Sequence, residues 1–177
     1  MNVRALSPSD AEQYQSLRLR GLQEAPSAFA SSFEEEASTY LEEIARRLQP
    51  KDSGTIFGSF EHAVLTGVVG VQRESMVKLS HKAFVWGMYV APEYRRGGRA
   101  QFLLEHALQF AWQSLRVVQV NLGVHTLNTG AIALYRQVGF EVWGTERGAL
   151  VVDAQPQDEH HMVCRAPSAA SQETPSK

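Results

Sequence analysis

Apolar residues recur along the chain with two different periods, and the change of period divides it. Val3-Arg4-Ala5-Leu6 alternates apolar with polar and predicts a short strand. Ser7-Pro8-Ser9-Asp10 follows as a turn and helix start, with Ser9 or Asp10 as the cap. Tyr14, Leu17, Arg18 and Leu22 then fall at helical spacing until Pro26 interrupts them. A connector from Ser27 to Phe33 leads into Glu34-Glu35-Glu36 and a second helix through Leu48. Acidic residues favour the dipole of a first helical turn, so this run reads as a solvated helix start.

From Thr55 the period shortens. Thr55 to Glu61, Val64 to Arg73 and Ala83 to Val90 predict three strands rich in Val, Phe and Gly. The middle one is nearly continuous hydrophobe, as a strand covered on both faces requires. Gly98 to Leu115 returns to the helical period, with Leu103, Leu104, Ala107, Leu108 and Ala111 on one stripe. Val117 to Val124 predicts a strand and Thr129 to Val138 a helix, stopped by Gly139 in a left-handed position. Glu141 to Trp143, Ala149 to Val152 and His160 to Arg165 predict closing strands. A strand-helix-strand unit with one apolar helix face implies a right-handed crossover between parallel neighbours. The remaining strands form antiparallel hairpins. The expected fold is a single-domain mixed α/β architecture, a mostly antiparallel sheet flanked by helices, over residues 1–165. Residues 166–177, made of Ala, Ser, Pro, Gln and charge, read as a disordered tail.

Bulk properties narrow the class. At 177 residues the chain is long enough to bury one sizeable core. An apolar fraction of 44% and a charged fraction of 20% are ordinary for a soluble globular protein. Net charge of −2 and a pI near 6.3 steer nothing toward nucleic acid. The one cysteine, Cys164, excludes an internal disulfide and offers no metal cluster. Met1 to Asp10 lacks the apolar run of a signal peptide, and no stretch has the length of a membrane span. A cytoplasmic location and no membrane partner are expected.

The chemistry concentrates between the third strand of the second block and the helix after it. Pro92 forces a turn, and Arg95-Arg96-Gly97-Gly98-Arg99-Ala100 opens the helix. Glycines let main-chain N–H groups converge, and a helix start presents free donors and a positive dipole to an anion. Arg95, Arg96 and Arg99 add charge on a short arc. A solvated basic turn has the same composition. The loop lacks the Gly-Lys-Ser/Thr of a Walker loop and the three spaced glycines of a dinucleotide fingerprint, which leaves other phosphate-bearing cofactors.

Arg95-x-x-Gly98-x-Ala100 resembles the Gln/Arg-x-x-Gly-x-Gly/Ala signature of the GNAT superfamily of N-acetyltransferases. Trp86 to Arg95 is similar to that superfamily's central strand and its exit toward the cofactor. A second match follows as Asn128-x-x-Ala131-x-x-Leu134-Tyr135-x-x-x-Gly139-Phe140. The resemblance implies acetyl-CoA as cosubstrate, its pyrophosphate on Arg95, Arg96, Gly97, Gly98, Arg99 and Ala100. It implies a central strand splayed from its parallel neighbour, with main-chain groups of Met88, Tyr89 and Val90 on the pantetheine amides. One of those N–H groups would polarise the thioester carbonyl. Gly87 and Gly123 sit inside the two strands, as bulges or as packing glycines.

By the same resemblance Tyr135 is the general acid for the departing thiolate; otherwise its ring packs on a helix face. Asn128 caps its helix, touches cofactor, or does both. Arg136 reaches a phosphate or solvent. The base does not carry over: many members place a Glu where this chain has Ala83-Phe84-Val85-Trp86. Glu74, His81, His160 and His161 are the other candidates, and none is singled out. Phe29, Phe33 and Tyr40 wall an acceptor pocket beside Glu34 or Glu35, or else anchor the helices to the sheet. The acceptor is a small-molecule amine or a peptide or protein amine, and a homodimer fits family habit. An acetyl-CoA sensor of the same fold without turnover is the alternative function.

Overall fold

The change of period at Thr55 is where helices give way to sheet. The computed structural model describes residues 2–167, so most of the expected tail, 168–177, lies outside the described residues. The chain runs β1 (Asn2–Ala5), α1 (Ala11–Glu24), α2 (Phe33–Ala37), α3 (Leu41–Arg47), β2 (Gly54–Glu61), β3 (Val64–Arg73) and β4 (Lys82–Val90). It continues through α4 (Arg99–Gln113), β5 (Gln119–His125), α5 (Thr129–Gln137), β6 (Glu141–Val152) and β7 (Gln155–Arg165). Among the described residues the strands form one sheet in the order β1-β2-β3-β4-β5-β7-β6. Its pairs are antiparallel except β4 with β5, which α4 joins as the crossover. The mixed, mostly antiparallel sheet flanked by helices is thus the one the pattern implies.

Each sheet face carries its own core. On one, Leu103, Leu104, Ala107, Leu108 and Ala111 of α4 pack on Val69, Val71, Val120, Phe140 and Met162. On the other, Tyr14, Leu17 and Leu22 of α1 and Ile44 of α3 pack with Phe60, Leu65, Val68 and Tyr89. β3 contributes to both, which explains its unbroken apolar run.

Four local expectations need correction. Asp10 stands at the N-cap of α1, but its carboxylate turns back to receive the Ser7 N–H at 2.8 Å and Arg4 at 2.7 and 2.8 Å. The expected second helix is two, α2 and α3, separated where the Gln15 amide donates to the Thr39 carbonyl at 2.7 Å. The acidic run is only partly a solvated start. Glu35 forms a capping box with Ser32, whereas Glu36 pairs with the buried Arg18. Finally, Glu141–Val152 is one irregular strand and β7 begins at Gln155. Their turn holds Asp153 and Ala154 at φ 49° and 60°, a hairpin geometry normally signalled by glycine, and no glycine marks it.

The Arg4 guanidinium holds the Asp10 carboxyl well below the usual carboxylate range, aided by the Ser7 hydrogen bonds against the opposing effect of burial. A depressed value stabilises the fold above the unfolded pKa near 3.9 and loses that contribution as pH falls toward the folded value. Asp10→Asn should therefore lower stability by about 1–2 kcal/mol at pH 7, through the lost charge on the Arg4 hydrogen bonds. Urea denaturation at pH 7 and pH 3 should show the gap to the parent narrowing at pH 3. An equal gap at both would contradict the assignment.

Candidate active site

The parallel ladder between β4 and β5 is short. It joins only Lys82, Ala83 and Phe84 to Gln119, Val120 and Asn121. Beyond that β5 stays with β7 as far as His125, while β4 follows β3. Gly87, at φ 62°, lies in a bulge: Gly70 faces Trp86 and Val68 faces Tyr89, so one residue of β3 spans two of β4. Glycine adopts this conformation without strain. Gly123, by contrast, keeps regular register and is a packing glycine; a Cβ there would meet a Glu159 carboxylate oxygen at 3.0 Å.

The divergence opens a cleft of about 700 Å³. Val85 to Val90 form one wall, Gly123 to His125 the other, and α5 contributes Ala131, Leu134 and Tyr135. The β4 edge past Phe84 has no strand partner on this side. Met88, Tyr89 and Val90 all line the cleft, although the Val90 carbonyl already accepts from Arg95 Nε at 2.7 Å.

At the cleft mouth the chain makes a short 3₁₀ turn at Pro92–Tyr94, then reverses through Arg96 at φ 64° and Gly98 at φ 74°. Gly98 is the N-cap of α4, and no atom lies within 4 Å of a Cβ built on it. The N–H groups of Arg99, Ala100 and Gln101 therefore open the helix without intrahelical partners. Arg95, Arg96, Gly98, Arg99 and Ala100 line the cleft, while Gly97 does not.

All three cations of the expected arc line the cleft, and two of them are also tied to carboxylates. Arg95 also leans on Tyr89 and reaches Glu24 at 3.6 Å. Arg99 pairs with Glu61 and lies over the Tyr94 ring. Arg95 and Arg96 are both exposed, and Arg96 has no carboxylate partner among the described residues. Tyr89 adds its own tie, its hydroxyl donating to Glu24 at 2.6 Å, and burial with that bond pushes its pKa up to about 12.

Tyr135 is buried at the inner end of the cleft, its ring edge-on to Phe140 at 5.9 Å. It packs in the core and also lines the cavity. Burial alone pushes the phenol up to about 12, so it stays protonated through the neutral range. Asn128 caps α5 by accepting the Ala131 N–H at 3.1 Å and also faces the cleft. Arg136 is exposed and outside it.

On the acceptor side only Phe29 of the expected residues lines the cleft. Phe33 packs on the helix core, and Glu34 and Tyr40 face solvent. The carboxylate of that run that turns inward is Glu36. Burial pushes its pKa up, but hydrogen bonds from Arg18 and Ser31 outweigh this and hold it below the ordinary value. Arg18 gives Nε and Nη2 to Glu36 and Ser31, and lies over the Phe29 ring at 4.5 Å. Its Nη1 is buried without a partner, a state that costs about 1–3 kcal/mol when nothing satisfies it.

None of the four expected bases lines the cleft. His160 bonds Thr145 at 2.8 Å, and His161 stacks on Trp143 and bonds Glu146 at 2.8 Å. His125 does line it, and Glu159 pairs with His125 across the sheet while standing against Gly123. Nothing in the sequence marked these two, because their proximity comes from strand pairing across the intervening α5 and β6.

Residues 19–140, more than half of the chain, match the model of the acetyltransferase (GNAT) family. No curated protein matches the sequence. Solved structures share the fold. A GNAT-family acetyltransferase from Streptococcus pneumoniae superposes with a TM-score of 0.84 at 21% identity, over 93% of this chain and 99% of that one. A Salmonella typhimurium protein solved with its cofactor acetyl-CoA gives 0.77 at 19% identity, over 96% and 98%. A ribosomal-protein-alanine N-acetyltransferase from Brucella melitensis gives 0.76 at 19% identity, over 94% and 100%. With a splayed parallel pair, a glycine-capped helix start and a matching family model, the chain belongs to the GNAT family of acetyltransferases.

Proposed function

We propose that the chain is an N-acetyltransferase that moves an acetyl group from acetyl-CoA to a primary amine by direct attack, with Tyr135 as general acid. The observation that supports it best is one continuous cleft joining the α4 helix start, the unpaired β4 edge and Tyr135. The residues present fit the cosubstrate. Open space at left-handed Gly98 admits a diphosphate to the helix donors, and the unpaired β4 edge matches the amides of an extended arm.

When bound, acetyl-CoA supplies an acetyl thioester whose C–S bond breaks as the acceptor forms its C–N bond. Arg96 and the N–H groups of Arg99, Ala100 and Gln101 hold the phosphates; Arg95 and Arg99 shape the loop through Glu24 and Glu61. Met88, Tyr89 and Val90 orient the arm, and a fixed N–H at the bulge polarises the carbonyl, an effect worth about 3 kcal/mol where such donors are removed. The acceptor must shed a proton to become nucleophilic. His125, which lines the cleft from β5, takes it directly or through water, with Glu159 opposite it on β7. Tyr135 donates to the sulfur. Full transfer from a phenol near 12 to a thiolate whose acid titrates near 8.5 is uphill, so this donation acts first as a hydrogen bond to developing charge.

Two substitutions separate binding from chemistry. Tyr135→Phe should lower kcat by about a hundredfold while the Kd for acetyl-CoA stays within about twofold. Thiol release and calorimetry would show this, and unchanged turnover would remove the acid role. Gly98→Val forces a branched side chain into left-handed backbone and should weaken acetyl-CoA binding by at least about tenfold. Retained affinity would dismiss the loop as the phosphate site. Binding without thiol release from any amine would leave an acetyl-CoA-binding module instead of an enzyme.

A further inference from the structure

Behind β4, on the α1 side of the sheet, lies a second cavity of about 260 Å³. Its charged lining is Arg18, Arg47 and Lys51 against the carboxylate of Glu36. Arg47 also pairs outward with Glu43 at 2.5 Å. Trp86 lines both this cavity and the cleft. Its indole lies flat on Gly70, where a Cβ would come within 2.3 Å of the ring, so its position is fixed by the strand beneath.

Arg18 is the unusual member. It is 8% exposed, and Glu36 and Ser31 occupy its Nε and Nη2. Nη1 has no partner and stands 3.6 Å from where a Cβ on Gly87 would lie, beside the bulge that opens the cleft. A buried cationic donor left open by the fold calls for an acceptor atom. An ammonium would be repelled by it, so this is not where the nucleophilic nitrogen itself binds. With Arg18 paired to Glu36 and Arg47 to Glu43, Lys51 leaves the lining net positive, which favours an anion over a neutral carbonyl, and the planar guanidinium matches a carboxylate best.

We propose that the acceptor amine carries a carboxylate, received by Arg18 Nη1 beside Gly87, where this cavity and the cleft share Trp86, so that the substrate class is a small amino acid rather than a polyamine or a protein lysine. This rests on the acetyl-transfer reading above. A carboxylate held there stands next to Gly87, and the amine of the same small molecule needs only a few bonds to reach the slot.

The test pairs amino acids with the amines lacking their carboxylates, on the parent protein and on Arg18→Lys. That variant keeps a charge opposite Glu36 and loses the Nη1 donors. Carboxylated amines should show at least about tenfold higher kcat/KM than their counterparts. In Arg18→Lys their KM should rise about tenfold or more, with the KM for acetyl-CoA within about twofold. Should the variant fail to fold, the parent comparison decides alone. Equal or better use of the decarboxylated amines overturns the proposal, as does an unchanged acceptor KM in a folded Arg18→Lys. Absence of thiol release with every amine would defeat the transfer reading. Calorimetry with coenzyme A present then decides for Arg18: tighter binding of the carboxylated amines supports the site, and indifference to the carboxylate refutes it.

Discussion

Everything at the site depends on the parallel ladder between β4 and β5 ending after Phe84. Two features accompany that ending. β5 continues along β7 as far as His125, leaving β4 after Asn121. β4 in turn is bent by the bulge at Gly87, which raises its local twist while it stays registered with β3. The cost is a stretch of central strand whose main-chain groups have lost a neighbour inside the fold. Such groups are expensive to leave buried and unpaired, so a strand edge of this kind is either wet or filled. Here the same divergence brings the α4 start to one end of the gap and Tyr135 of α5 to its inner side.

Arg95 and Arg99 look like ligand contacts by composition, and they are also tied to Glu24 and Glu61, fixing the loop to α1 and β2. The Tyr89 hydroxyl strengthens the first of these ties from the strand itself. Arg20 adds exposed pairs to Glu24 and Glu93, which contribute little by comparison. What faces the mouth is main-chain donor and helix dipole together with Arg95, Arg96 and Arg99, of which Arg96 has no carboxylate partner among the described residues. Arg18, on the other sheet face, is a cation buried against Glu36 with one nitrogen left over, as Arg99 also has beside Glu61.

Much of this arrangement was legible in the residues. The helical stripe Leu103 to Ala111 and the unbroken run of β3 identified the crossover helix and the doubly covered strand, because burial dictates both periods. Gly87 and Gly98 were legible as special backbone, since each takes a positive φ. The carboxylate ties of the loop's cations were not legible, because a side chain's partner lies far along the chain: Arg99 finds Glu61 and Arg95 finds Glu24 only after folding. The hairpin at Asp153-Ala154 was missed because it lacks its usual glycine. The acceptor side was the least legible. Glu36 turns inward one position from solvated Glu35, and Glu159 reaches Gly123 through a strand pairing that no local pattern announces.

The central claim is that the unpaired β4 edge and the α4 start receive one extended ligand between them. Hydrogen exchange with and without acetyl-CoA tests it most directly, because it reports main-chain amides at both ends of the cleft together. Peptides spanning Trp86 to Val90 and Arg96 to Gln101 should slow on addition of acetyl-CoA, with β1 and β2 unchanged. Unchanged exchange in Trp86 to Val90, or protection confined to another part of the sheet, would contradict the account.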